Sequence, residues 1–296
     1  MAAIRLDQFR YDRERGAYVR LFTVLELIRP FECRDPRDKL YASLGLAADL
    51  SETDIGPDYT KSIEGVYTDI ARFSLSHSER YGLDFLGLVV YFPEELGGTL
   101  SDLPSWVPDL RIRISMYAFE RYLNVDDFRS PRAYNAGGNG GGLATIDGHW
   151  LRVYGFVLDS IEKVYPACYH SLATGGLDIE RGWRPQNEME PYPLGGTIMG
   201  AFNHTLLADI GRPVIASEAL KRGMNVDWAV VDQDPACLTP EQKQRRSWML
   251  VDIKRTTFGR QLIRTGSGLI GLGPGMAEIG TLCACSLVAT SCMCSG

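Results

Sequence analysis

No run of 18 or more apolar residues occurs in this 296-residue sequence, so it offers no candidate membrane-spanning helix. The opening stretch MAAIRLDQFRYDRERG carries charges where a signal peptide would place its apolar segment, and the expectation is a cytoplasmic protein without a membrane span. Positive charge is not in excess either. Lys and Arg number 31 against 37 Asp and Glu, a formal net charge of −6, and the basic residues form no stripe, which argues against a nucleic-acid partner. Histidine is scarce: His77, His149, His170 and His204 are the four, none at the spacing of a paired metal ligand. Cysteine is odd in number, at seven, and Cys33, Cys168 and Cys237 stand far apart, which argues against a disulfide scaffold and fits a reducing compartment.

What is present can build a core. Hydrophobic residues make up 45% and charged residues 23%, a balance suited to one large or two modest domains. Within residues 1–32, Val19, Phe22, Leu25 and Ile28 recur at helical spacing until Pro30, which predicts an amphipathic helix. In ECRDPRDKLYASLGLA, Asp35 can accept from open helix N–H groups, Pro36 suits a first turn, and Leu40, Tyr41 and Leu44 form a stripe that ends at Gly45. A further helix follows in PDYTKSIEGVYTDIARFSLSHSE. Thr60 or Ser62 would cap it, with Ile63, Val66, Tyr67, Ile70 and Phe73 on one side. DFLGLVVYFPEEL reads as a buried strand or a helix end, and LPSWVPDL as an extended segment fixed by Pro104 and Pro108, with Trp106 as its anchor.

AGGNGGG, residues 136–142, marks a connector. Beyond it LRVYGFVLDSIEKVY alternates as half-buried strands do, FNHTLLADI has helical spacing, and EQKQRRSWMLVDIKRTTFGRQLI reads as a helix running into a strand at Arg260–Thr265.

Several short motifs invite a chemical reading. TGSGLIGLGPG, residues 265–275, fits the Gly-x-Gly-x-x-Gly spacing of a dinucleotide cradle through Gly266, Gly268 and Gly271. A cradle of that kind needs a helix opening inside it and an acidic residue about 20 positions later, whereas Pro274 and Gly275 break the chain there, so a glycine-turn hairpin is expected. Cys283 with Cys285 and Cys292 with Cys294 form two Cys-x-Cys pairs, a spacing that strains two ligands of one tetrahedral zinc. Cys168 beside His170 suggests a thiol and a base, yet no orienting carboxylate accompanies them, and an ordinary loop is expected. The pairs Asp126–Asp127 and Glu94–Glu95 sit beside chain breakers and read as loop coating.

Taken in order, RDPRDKLYASLGLA, PDYTKSIEGVYTDIARFSL and LPSWVPDL resemble the fungal heterokaryon incompatibility (HET) domain proteins. LRVYGFVLDSIEKV, FNHTLLADI and RTTFGRQLIRTGSGLIGLGPGMAEIGTL continue the likeness, so that roughly residues 20–282 are covered. The resemblance implies an α+β chain in which residues 1–110 are the C-terminal portion of a HET-like domain, 111–145 a Gly-rich connector, 146–282 a mixed α/β region and 283–296 an aberrant Cys/Ser-rich tail. It also implies that the HET domain begins well upstream, and that the tail TLCACSLVATSCMCSG reflects a shifted frame or an unspliced intron in a truncated or regulatory member.

The family acts in non-self recognition, in which fusion of incompatible strains triggers programmed cell death. The implied partners are proteins. HET domains have been likened to TIR domains, some of which consume NAD, but the likeness concerns the upstream part. No catalytic, cofactor-binding or metal-binding residue is therefore assigned, and no cofactor. The competing reading is an accessory nucleotide-binding enzyme of a fungal metabolic pathway, carried by the glycine-rich segment. On the HET-like reading, the Asp35–Leu44 and Tyr59–Ser76 helices pack with Trp106 as one unit in which Tyr41, Tyr67 and Trp106 are buried.

Overall fold

The computed structural model describes residues 19–51, 54–78, 81–93, 103–113, 144–169, 177–208, 226–286 and 293–295. The chain divides into two compact units, Met1–Leu158 with Ala284–Met293, and Asp159–Cys283 with Cys294–Gly296. The Gly-rich stretch 136–142 and the pairs Glu94–Glu95 and Asp126–Asp127 lie outside the described residues. Among the described residues both helices and antiparallel strands occur, consistent with a mixed α+β class.

In the first unit, helix α1 spans Leu21–Ile28. Leu21, Val24, Leu25 and Leu27 are buried, whereas Phe22 and Ile28 of the expected stripe are only partly so, and the buried face is rotated toward Leu21 and Val24. The Leu21 N–H at its start donates to Asp49 Oδ1 at 2.8 Å. Helix α2 spans Asp38–Leu44 and starts later than Pro36. The reason is local: the Arg37 N–H donates to Asp35 Oδ1 at 3.0 Å and the Asp38 N–H to Asp35 O at 3.0 Å, so Asp35–Asp38 is a turn leading into the helix. Helix α3 spans Ile63–Ser76 and is capped by Ser62, whose Oγ accepts from the Gly65 N–H at 3.1 Å. Thr60 instead bonds Asp58, through N–H and hydroxyl at 2.9 and 2.6 Å. Val66, Tyr67, Ile70 and Phe73 are buried on the expected side.

Two expectations in this unit need correction. DFLGLVVYFPEEL is neither strand nor α-helix in its described part: Asp84–Leu88 is a short 3₁₀ helix that buries Phe85 and Leu88. LPSWVPDL is not extended, because the Val107 N–H donates to Pro104 O at 2.9 Å and closes a turn over Trp106. That turn leaves Trp106 half-buried while Val107 and Leu110 enter the core. Trp106 still anchors: its ring meets Phe85 edge-on at 6.4 Å, and its Nε1 donates to His149 O at 2.8 Å. His149 belongs to the turn between β1 (Thr145–Asp147) and β2 (Trp150–Arg152), an antiparallel hairpin in which Gly148 takes φ +58°.

The remaining strands form one sheet, ordered β5-β4-β3-β6-β7, with β3 at Gly155–Val164, β4 at Arg260–Thr265, β5 at Ile270–Pro274, β6 at Leu282–Ser286 and β7 at Met293–Ser295. The second unit adds α4 (Asp178–Trp183), α5 (Ile198–Leu206), α6 (Trp228–Asp232) and α7 (Pro240–Thr257). Helix α7 opens on a capping box: Thr239 Oγ1 accepts from the Gln242 N–H at 3.2 Å, and the Thr239 N–H donates to Gln242 Oε1 at 2.9 Å. It ends at Thr257, Gly259 takes φ +74°, and β4 begins, the helix-to-strand passage that the sequence pattern predicts at Arg260. Trp183, Phe202, Leu206, Val231, Ile253 and Leu262 form the core of this unit.

Candidate functional site

Among the described residues, a dense polar arrangement lies in the first unit, where Asp35-Pro36-Arg37-Asp38-Lys39 meets α1 and the Asp58–Lys61 loop. Arg37 sits on Asp35 through Nε–Oδ1 at 3.0 Å and Nη2–Oδ2 at 2.7 Å, and its Nη1 donates to the carbonyls of Tyr59 at 2.6 Å and Lys61 at 3.1 Å. The same guanidinium lies 5.3 Å from the centroid of the Tyr59 ring, which also packs edge-on against Tyr41 at 5.1 Å. Tyr59 returns the connection by donating its hydroxyl to Asp38 Oδ1 at 2.5 Å. Tyr41 donates to Asp58 O at 2.8 Å and Tyr67 to Pro36 O at 2.7 Å. One pentapeptide thus ties α2 to the loop before α3 and to α3 itself.

Lys39 points the other way. It is 5% exposed, and its Nζ donates to Ile28 O at 3.2 Å, Arg29 O at 2.7 Å and Phe31 O, satisfying carbonyls at and just past the C-terminal end of α1. Arg29, fully buried, extends the same logic to the Leu88, Asp109 and Ile112 carbonyls. The electrostatics follow from these partners. The Arg37 hydrogen bonds hold the Asp35 carboxyl below the usual range, and Asp35 raises Arg37 in turn. Burial lowers Lys39 and Arg29, and burial raises Tyr67. The hydrogen bond to Asp38 raises Tyr59.

Charges that bind carbonyls and one another in this way fix a fold. The cluster juxtaposes no nucleophile with a general base. Its solvent face is different. Tyr59 is 53% exposed with Arg37 stacked on one side and Asp38 bonded at its tip, a rigid aromatic and cationic surface of the composition that protein interfaces favour.

The glycine-rich segment is a hairpin turn. Strands β4 and β5 pair antiparallel, with Leu262 opposite Leu272 and Arg264 opposite Ile270, and the Thr265 N–H donates to Leu269 O at 2.8 Å. Gly268 takes φ +84° in that turn. The Ser267 N–H and hydroxyl both donate to Asp159 Oδ2, the former at 2.9 Å, so the turn already binds a carboxylate of its own chain. Those donors and the Thr265 hydroxyl hold the Asp159 carboxyl far below the usual range. A strand follows the turn where a dinucleotide cradle needs a helix N-terminus.

The other candidates are scattered. Cys168 is fully buried beside Phe258 in a β-bridge, and burial with the nearby Glu180 carboxylate pushes its thiol well above the ordinary value, away from the thiolate a nucleophile requires. His170 lies outside the described residues, as do the side chains of Cys285, Cys292 and Cys294. His77 Nδ1 is 3.0 Å from Phe73 O, His149 Nδ1 is 3.3 Å from Glu64 Oε1, and His204 lies on α5. Among the described residues, no group of three His, Cys, Asp or Glu side chains could hold a metal ion. The sequence pattern did not single out Arg29, Lys39 or Asp159. Lys39 follows a run of charged residues that gives no local sign of its burial, and Asp159 meets Ser267 across 108 residues.

Over 87 residues the chain is 39% identical to heterokaryon incompatibility protein 6, OR allele, of Neurospora crassa, an alignment that takes in 27% of this chain and 13% of that protein. The match supports a HET-like relationship. No family model matches the chain, and no solved structure matches it. Among the described residues, no helix is long and apolar enough to cross a membrane.

Proposed function

We propose that this chain is a heterokaryon-incompatibility-like protein of fungal non-self recognition and programmed cell death signalling, acting through contacts with other proteins in the cytoplasm. The observation that carries the reading is the convergence of the three resembling segments. RDPRDKLYASLGLA and PDYTKSIEGVYTDIARFSL are tied together by Arg37, Tyr41, Tyr59 and Tyr67, and Val107 and Leu110 of LPSWVPDL join the same core. The partial identity to a heterokaryon incompatibility protein points the same way. The domain division into residues 1–110, a connector at 111–145, a mixed region at 146–282 and a tail at 283–296 belongs to this proposal.

Contact is assigned to the Tyr59 surface. Expression of the chain in a fungal strain carrying a full-length HET protein should change viability. Tyr59→Ala should abolish that effect while leaving α3 amide protection intact. No change in viability with the wild-type chain, or full effect from the variant, would refute the assignment. The nucleotide-binding alternative has no geometric support, since the donors of the turn hold Asp159.

A further inference from the structure

Arg-x-x-Ser, the spacing read by arginine-directed serine kinases, occurs once in the 296 residues, as Arg264-Thr265-Gly266-Ser267. The structure puts that serine on the exposed turn between β4 and β5. The Arg264 side chain is 39% exposed, its Nη2 3.4 Å from Glu190 Oε1 and 3.7 Å from where a Cβ on Gly268 would stand, so it borders the turn. Ser267 is also a structural contact. Its N–H and hydroxyl both donate to Asp159 Oδ2, its Oγ lies 3.4 Å from Thr265 Oγ1, and Asp159 Oδ1 takes the Ser160 N–H at 2.8 Å.

We propose that Ser267 is a phosphoacceptor, and that its modification unlatches the β4–β5 turn from Asp159 at β3. In the transfer, Ser267 Oγ forms a bond to the γ-phosphorus of a nucleoside triphosphate, the bond to the β-phosphate oxygen breaks to release the diphosphate, and the serine proton leaves to the kinase base. The product can no longer donate from Oγ to Asp159. It places close to two negative charges beside a carboxylate that is itself ionised, and repulsion opens the latch. Arg264 then has a dianion within the span of its side chain, a stronger acceptor than Glu190, which binds it at 3.4 Å. The turn exchanges a carboxylate latch for a guanidinium one.

The test uses the full chain with the catalytic domain of a calmodulin-dependent kinase and labelled ATP, with phosphosite mapping and residue-level amide exchange. The wild type should incorporate phosphate at Ser267, and Ser267→Ala and Arg264→Gln should each lower incorporation at least tenfold. Ser267→Thr should retain incorporation, which separates loss of the acceptor from loss of the fold. Phosphorylation should raise exchange at the Ser267 and Ser160 amides at least tenfold. Asp159→Asn should accept phosphate at least as fast as the wild type but show less than a threefold exchange response. Absence of incorporation in the wild type, equal incorporation in Ser267→Ala, or a phosphorylated Ser267 with unchanged exchange at these amides would each overturn the proposal.

Discussion

Replacing Lys39 by Met tests whether the pentapeptide holds α1 in place. Methionine preserves the length and packing of the lysine stem and removes the ammonium that serves the carbonyls of Ile28, Arg29 and Phe31. A hydrogen bond from a charged donor contributes ~1.5–3 kcal/mol net, and the two shorter of these bonds would therefore sum to ~3–6 kcal/mol. Against this stands the desolvation of a lysine that is 5% exposed, which the substitution relieves. The balance is a loss of ~2–4 kcal/mol. Because each ~1.4 kcal/mol is a factor of ten, amide exchange in the most protected parts of α1 and α3 should accelerate ~30-fold or more. The assay is native-state hydrogen exchange read at Leu25, Val66 and Ile70, which isolates this unit from the second. Acceleration of less than threefold would refute the claim that Lys39 ties α1 to α2.

Four further outcomes follow from the same geometry. Gly275→Ala places a Cβ against the Tyr169 hydroxyl and 2.9 Å from Gly259 O, and should cost ~1–3 kcal/mol in thermal or urea unfolding, whereas Gly271→Ala, with open space around its Cβ and no positive φ, should be neutral or gain up to ~1 kcal/mol. Trp106→Ala should cost ~1–2 kcal/mol, less than the ~3–5 kcal/mol of a fully buried tryptophan, and should raise exchange in the β1–β2 hairpin through loss of the bond to His149 O. Iodoacetamide at pH 8 should alkylate the exposed Cys33 and Cys237 in the native protein and leave Cys168 unmodified until unfolding, since burial raises its thiol above the ordinary value. The Asp159 carboxyl is depressed in the folded state, so its contribution is fully present above the unfolded value of about 3.9 and is lost as pH falls toward the folded value. The difference in melting temperature between wild type and Asp159→Asn should therefore be constant above about pH 5 and shrink below about pH 4.

Elements whose signals are local were legible in the sequence. Ser62 precedes an apolar period and caps α3, and Arg260–Thr265 follows a helical run as a strand. The glycine-rich segment reads as a hairpin because Pro274 and Gly275 forbid the helix a cradle requires, and it is one. Features set by the geometry of a single turn, or by distant partners, were not legible. The start of α2 moves past Pro36 because the Asp35 side chain and carbonyl close a turn on Arg37 and Asp38. Trp106 packs only at the edge of the core that Val107 enters, because the Pro104–Val107 hydrogen bond closes a turn there. Arg29 reaches carbonyls 59 to 83 residues away, and no composition or period encodes such a contact. The resembling segments were visible as motifs, but what their polar residues do emerged only from the hydrogen bonds of the folded chain.

The claim that this chain works through protein contact at the Tyr59 surface is tested most directly by co-purification. The tagged wild-type chain, and the same chain carrying Tyr59→Ala, would be expressed in a fungal strain with a defined full-length heterokaryon incompatibility protein, and the amount of that protein retained would be measured. Retention by the wild type, lowered at least tenfold by Tyr59→Ala with α3 amide exchange unchanged, is the predicted result. No retention by the wild type, or equal retention by both, would contradict it.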